Sequence, residues 1–142
     1  MADDVRLYNG NNQACVAGLY KPIRGRHIWL PPHCTTDPWE AIEFSFVSSC
    51  RHNSRPAIFV VRHDPVFYEQ RKTPKHWYFL KKFAETQEER NQQIVQLFTE
   101  SELEAFLAFG DISTDANKYA LKYLIEDLDR KQWTSPQSPE GR

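Results

Sequence analysis

The sequence predicts an α+β fold, a single compact domain with a mixed or antiparallel sheet, one helix between the early strands and two helices at the C-terminal end. Three observations carry this. Short β-prone runs alternate with turn signals through the first part of the chain. One well-marked helix start interrupts them. Helix-period patterns then close the sequence. The 142 residues are 40% hydrophobic and 13% aromatic, enough for one core without cross-links. The expected domain is 1–133, with a disordered tail over 134–142.

The elements follow in order. Val5-Arg6-Leu7-Tyr8 alternates and is expected to stop at a turn over Asn9-Gly10-Asn11-Asn12. A helical turn fits Gln13–Gly18. Arg26–Leu30 alternates again and ends at Pro31-Pro32, which predicts a second strand. Asp37 fits an N-cap, Pro38 the first helical position, and Glu40 a capping box, so a helix is expected to run to about Arg51. Pro56–Val61 is a β-branched apolar run and predicts a central strand. Further strands are expected at His76–Leu80 and Gln93–Phe98. Thr99 and Glu102 form a second capping box before a helix carrying Leu103, Phe106 and Leu107, with Gly110 as its C′ residue. Tyr119, Leu121, Leu124, Ile125 and Leu128 mark a last helix from Ser113 or Thr114 to about Trp133. Two prolines, a glycine and few apolar residues make the stretch after it a disorder candidate.

Charge is unevenly spread. Residues 1–82 hold 12 basic and 7 acidic residues, a net of +5; residues 83–142 hold 6 and 12, a net of −6. All five histidines and all three cysteines lie in the basic part, so any ligand chemistry is expected there. A positive face of this kind can attract an anion or an acidic protein surface. An odd count of three cysteines argues against a disulfide framework and for a reducing compartment. Met1-Ala2-Asp3-Asp4 has no apolar core of a signal peptide, and no apolar run reaches the roughly 20 residues of a membrane span. The expectation is a cytoplasmic protein that does not engage a membrane.

Metal, covalent and phosphate-loop chemistries find little footing. His33-Cys34 and Cys50-x-His52 supply zinc-type ligands, but a helix about 20 Å long separates them and the spacing fits no finger. No metal is expected. No Gly-rich phosphate loop, Gly-x-Ser-x-Gly or His-Glu-x-x-His occurs. The segment Arg71–Lys82 instead sets five basic residues around three aromatics. Arg71, Lys72, Lys75, Trp77 and Tyr78 could grip a partner protein, or hold a single-stranded nucleic acid by its phosphates and stacked bases. The competing reading is an ordinary strand with Trp77 and Phe79 in the core and solvated flanks.

Residues 7–80 also carry a resemblance. Tyr8-Asn9-Gly10-Asn11, Gly25-Arg26-His27-Ile28-Trp29-Leu30, Trp39-Glu40-Ala41 and Arg55–Val61 follow one another in an order similar to the small ADP-ribosyltransferase-like fold of rifampin ADP-ribosyltransferases and RNA 2′-phosphotransferases. The resemblance implies an NAD pocket lined by Tyr8, Asn9, Gly10 and Trp29, with Arg26 beside it and Glu69 orienting the ribose. Asn9 and Asn11 stand where the family has His and Thr, and Trp29 where it has Tyr or His, so its catalytic motif is degenerate here. The leading expectation is therefore a non-catalytic interaction or regulatory protein with no cofactor, binding a partner through its basic, aromatic-rich part. An NAD-using transferase and a single-strand nucleic-acid binder are the alternatives.

Overall fold

A computed structural model of the chain describes residues 5–17, 22–23 and 27–134. The order is β1 (Arg6–Asn12), α1 (Gln13–Ala17), β2 (Pro22–Ile23), β3 (His27–Ile28), β4 (His33–Thr35), α2 (Pro38–His52), β5 (Pro56–Arg62), β6 (Tyr68–Gln70), β7 (Trp77–Leu80), α3 (Gln87–Gln93), β8 (Ile94–Thr99), α4 (Leu103–Phe109) and α5 (Asp115–Thr134). Six strands form one sheet in the order β6-β7-β4-β1-β5-β8, with every pairing antiparallel. β2 and β3 make a separate two-stranded ribbon. The α+β class and the single domain agree with the sequence expectation.

Both faces of the sheet are covered, which explains why β5 is apolar throughout and buried from Pro56 to Val61. On one face Tyr8, Ile58, Val60 and Phe98 meet Ala41, Ile42 and Phe46 of α2, Leu103, Phe106 and Leu107 of α4, and Leu121 and Leu128 of α5. On the other, Leu7, Leu30, Cys34, Val61, Phe67, Tyr68 and Tyr78 form a second cluster. Arg55 ties the start of β5 to the helical layer, reaching Glu100 through Nε at 2.6 Å and Asp129 at 2.7 Å.

The turn expected at Asn9–Asn12 is instead the second half of β1, paired with β5 from Arg6↔Arg62 to Asn12↔Pro56. Asn-Gly reads as a turn because glycine tolerates positive φ, but here glycine is needed for space. A Cβ on Gly10 would lie 2.1 Å from the Ala41 carbonyl oxygen and 2.6 Å from the Ser45 nitrogen. The α2 backbone rests directly on β1 at this point. Ala41, Ser45 and Ser49 recur every four residues on the buried face of α2 and keep its side thin. The two hydroxyls are satisfied within the helix, Ser45 donating to Ile42 O at 2.6 Å and Ser49 to Ser45 O at 2.7 Å.

Other local readings change in informative ways. Asp37 caps α2 as expected, accepting from Trp39 N at 2.9 Å and Glu40 N at 3.4 Å. Glu40 does not close a capping box, because the Asp37 N–H donates to Thr35 Oγ1 at 3.0 Å. The box at Thr99 does form, with the Thr99 N–H donating to Glu102 Oε1 at 2.9 Å. It opens a 3-10 turn over Glu100–Glu102 that runs into α4. Gly110 follows α4 with φ −85°, while Asp111 takes the positive φ of 58°. Its lack of a side chain matters because a Cβ would sit 2.9 Å from the Pro38 ring. The expected strand at Arg26–Leu30 shrinks to β3, and α3 occupies a stretch with no apolar periodicity. The expected tail lies outside the described residues, except Thr134, which closes α5.

Gly10→Ala should therefore cost at least about 3 kcal/mol of stability, the upper range for overpacking, or abolish folding. Gly110→Ala should cost clearly less, because its neighbour is a side-chain ring at unstrained φ. Urea denaturation of the two variants checks the contrast.

Candidate functional site

β1 and β4 pair at one register position only, Tyr8↔Thr35. Continuing that register would set Gly10 opposite His33. The His33 carbonyl accepts from Asn9 Nδ2 at 2.7 Å, so a side chain occupies the acceptor that a regular ladder would offer to Gly10. Past this point the two strands diverge, and a groove of about 550 Å³ opens in the split. Its floor is Asn9, Gly10 and Asn11, and Pro32 and His33 form the β4 side. Phe44, Val47, Ser48, Arg51 and His52 descend from α2, and Arg71, Pro74 and Trp77 come from the β6–β7 hairpin.

Polar contacts fix these walls. Asn11 Nδ2 donates to Asn9 Oδ1 at 3.0 Å, and Asn12 Nδ2 donates to Ser48 Oγ at 2.6 Å, pinning β1 to α2. The hairpin is held by Arg71 N to Trp77 O at 2.8 Å and Gln70 Nε2 to Lys75 O at 2.8 Å, and its Thr73–Pro74 bond is cis. Glu40 joins hairpin to helix: its Oε1 lies 2.9 Å from His76 Nε2 and accepts from Thr35 Oγ1 at 3.3 Å. This places Trp77 edge-on against Phe44, with centroids 5.2 Å apart. Phe44 and Val47 are each 49% exposed, so the wall they form is an apolar surface in contact with solvent.

The charge of the groove is one-sided. Arg51 and Arg71 line it with His33 and His52, and no carboxylate does. Neither arginine enters an ion pair among the described residues. An adjoining depression shares Pro32, His33 and Arg71 and adds Glu69, Lys72 and Phe79.

The sequence candidates separate accordingly. Asn9, Gly10, Arg71 and Trp77 meet in the groove, although they came from two different readings. Lys72 and Lys75 are exposed on the hairpin loop, while Tyr78 turns into the second core cluster beside His63. The alternation of β7 is thus opposite to the core reading of Trp77 and Phe79: Tyr78 is buried, Phe79 exposed and Trp77 half-buried. Tyr8 lies in the first core against Phe106, with centroids 5.4 Å apart. Trp29 packs edge-on to Phe59 at 5.2 Å, and Glu69 stands in the adjoining depression. Tyr8, Trp29 and Glu69 do not line the cavity that holds Asn9 and Gly10. Arg26 lies outside the described residues. The groove residues that sequence reasoning passed over are Phe44, Val47, Ser48 and Arg51. Phe44 and Val47 give α2 an exposed apolar side as well as a buried one.

His33 and His52 both line the groove, from β4 and from the end of α2. Cys34 points away and is fully buried, and no cluster of three metal-type ligands occurs among the described residues. Burial pushes the Cys34 thiol far above its ordinary range, opposed in part by a hydrogen bond with Tyr68. It is held as a neutral thiol and is unsuited to nucleophilic attack. No helix among the described residues is long and apolar enough to cross a membrane. No protein-family model, curated protein or solved structure matches the chain.

Two outcomes follow from this layout. Tyr78→Ala should cost about 3–5 kcal/mol as a buried ring, whereas Phe44→Ala should cost under about 1 kcal/mol. Chemical denaturation of both variants distinguishes inward from outward. The raised Cys34 pKa also sets a sign. Below its ordinary value of 9.0, folded and unfolded thiols are both protonated and the contribution is complete. Above it the unfolded state alone loses the proton, so stability falls by up to about 1.4 kcal/mol per pH unit. Comparing wild type with Cys34→Ala from pH 8 to 10.5 should show the slope reduced in the variant.

Proposed function

We propose that this chain is a non-catalytic interaction protein that binds a partner protein in the groove between β1, α2 and the β6–β7 hairpin. One observation carries the reading: a rigidly braced, solvent-exposed apolar wall of Phe44, Val47 and Trp77 lies beside Arg51 and Arg71, with no carboxylate lining the same cavity. Aromatic anchors with arginine beside them are the composition of interface hot spots. The basic side chains steer an acidic partner and set its orientation. Lys72 and Lys75 extend the same charge along the hairpin loop.

The NAD-dependent ADP-ribosyltransferase-like reading draws only on Asn9 and Gly10 in this cavity and has no acidic side chain there. Single-strand nucleic-acid binding shares Arg71, Lys72, Lys75 and Trp77 with the protein reading. It loses Tyr78 as a stacking platform, since that ring is buried.

The test is retention of proteins from extract of the source cells on immobilised wild-type chain and on a Phe44→Asp/Arg71→Glu variant shown to be folded by circular dichroism. The expected result is a protein retained by the wild type and reduced at least tenfold on the variant. Equal retention on both, or retention only of nuclease-sensitive material, overturns the reading. Saturable NAD⁺ binding by calorimetry, abolished by Asn9→Ala, would favour the enzymatic alternative.

A further inference from the structure

The floor of the groove is a strand edge, and its polarity can be worked out. Gln13 N donates to Arg55 O at 2.8 Å and His63 N to Val5 O at 3.3 Å. These bonds place the odd-numbered residues of β1 in the hydrogen-bonded pairs with β5. Gly10 and Asn12 therefore turn their backbone groups the other way, toward the split. No strand among the described residues pairs with β1 there beyond Tyr8. The Asn12 N–H is taken by Asn11 Oδ1 at 2.9 Å. Asn12 caps α1, its Oδ1 accepting from Cys15 N at 3.1 Å, and its C=O takes the first bond of that helix. The N–H and C=O of Gly10 are the β1 backbone groups directed into the groove.

Open edges are ordinarily blunted by lysine, proline or a bulge. Residues 9–12 have none of these, and the β1–β5 register is unbroken across them. The apolar wall of α2 rises beside the edge, and the basic side chains of Arg51, Arg71, His33 and His52 stand around it. A helix laid in this groove would cover the Gly10 amide and carbonyl without pairing them, which is costly. An extended chain pairs them.

We infer that the groove receives an extended, acidic polypeptide segment that pairs its backbone with the Gly10 edge of β1, with alternate apolar side chains against Phe44, Val47 and Trp77. This rests on the interaction reading above and specifies its partner's chemistry. Successive side chains of a strand point to opposite faces. Arg51 follows Phe44 and Val47 along one stripe of α2, and Arg71 stands across from Trp77, so the parity that faces the apolar wall also carries the carboxylates.

The experiment uses the intact chain to select from a displayed library of random dodecapeptides. The strongest binder is then synthesised with a fluorophore and measured by anisotropy. Enriched peptides should carry apolar and acidic residues two positions apart, on the same parity. N-methylation should weaken binding tenfold or more at the one backbone amide paired with Gly10 and leave the amides on either side of it unchanged. Arg51→Glu/Arg71→Glu should weaken it at least tenfold. Peptides released by Phe44→Asp but neutral or basic, or sensitive to N-methylation with a helical period or not at all, overturn the strand mode while leaving the groove as an interaction site. A library that yields no groove-dependent peptide also overturns the strand mode, and the extract-retention assay then decides the groove reading separately.

Discussion

The contact between Gly10 and the α2 backbone is the constraint on which the rest of the structure depends. A strand side chain normally holds a helix about 10 Å from a sheet. Here the missing Cβ and the thin Ala41–Ser45–Ser49 stripe let helix and strand backbones touch. The shortened distance fixes where α2 crosses β1 and turns Phe44 and Val47 outward past the strand edge. The same helix then sets where the Glu40–His76 contact can hold the hairpin, and so where Trp77 stands.

Splitting β1 from β4 follows from this arrangement and from Asn9. A continuous ladder through Gly10↔His33 would close the sheet and bury its edge. The Asn9 side chain instead bonds the His33 carbonyl, which satisfies that part-buried acceptor while ending strand pairing. Residues that read as turn formers thus terminate a ladder without terminating the strand. The polar groups left facing the split, the exposed aromatic wall and the unpaired arginines occupy one cavity. The ion pairs present elsewhere, Arg55 with Glu100 and Asp129, tie structural layers together and leave the groove charge uncompensated.

The sequence was legible where signals are local. The Asp37 cap, the Thr99–Glu102 box, the apolar run of β5 and the period of α5 each depend on residues within one or two turns of each other. β4 escaped because three residues after Pro31-Pro32 have no room for alternation, and its pairing with β7 is a long-range fact. α3 escaped because its helix is capped by Thr86 and stabilised with hardly any apolar pattern. The Asn-Gly signal misled because glycine serves both positive φ and close approach, and only the position of α2 distinguishes the two. The groove was not legible at all as a unit. Its lining comes from four separated segments, and Asn9, Phe44, Arg71 and Trp77 become neighbours only through sheet order.

Residue-resolved hydrogen exchange of the β1 amides tests this account most directly. The odd-numbered amides of Leu7, Asn9 and Asn11 face β5 and should be strongly protected. The Gly10 amide faces the split and should exchange at least a hundredfold faster than those of Asn9 and Asn11 on either side of it. Protection of Gly10 equal to theirs would mean that the edge is closed by another part of the chain, and the account of an open strand edge in the groove would be contradicted.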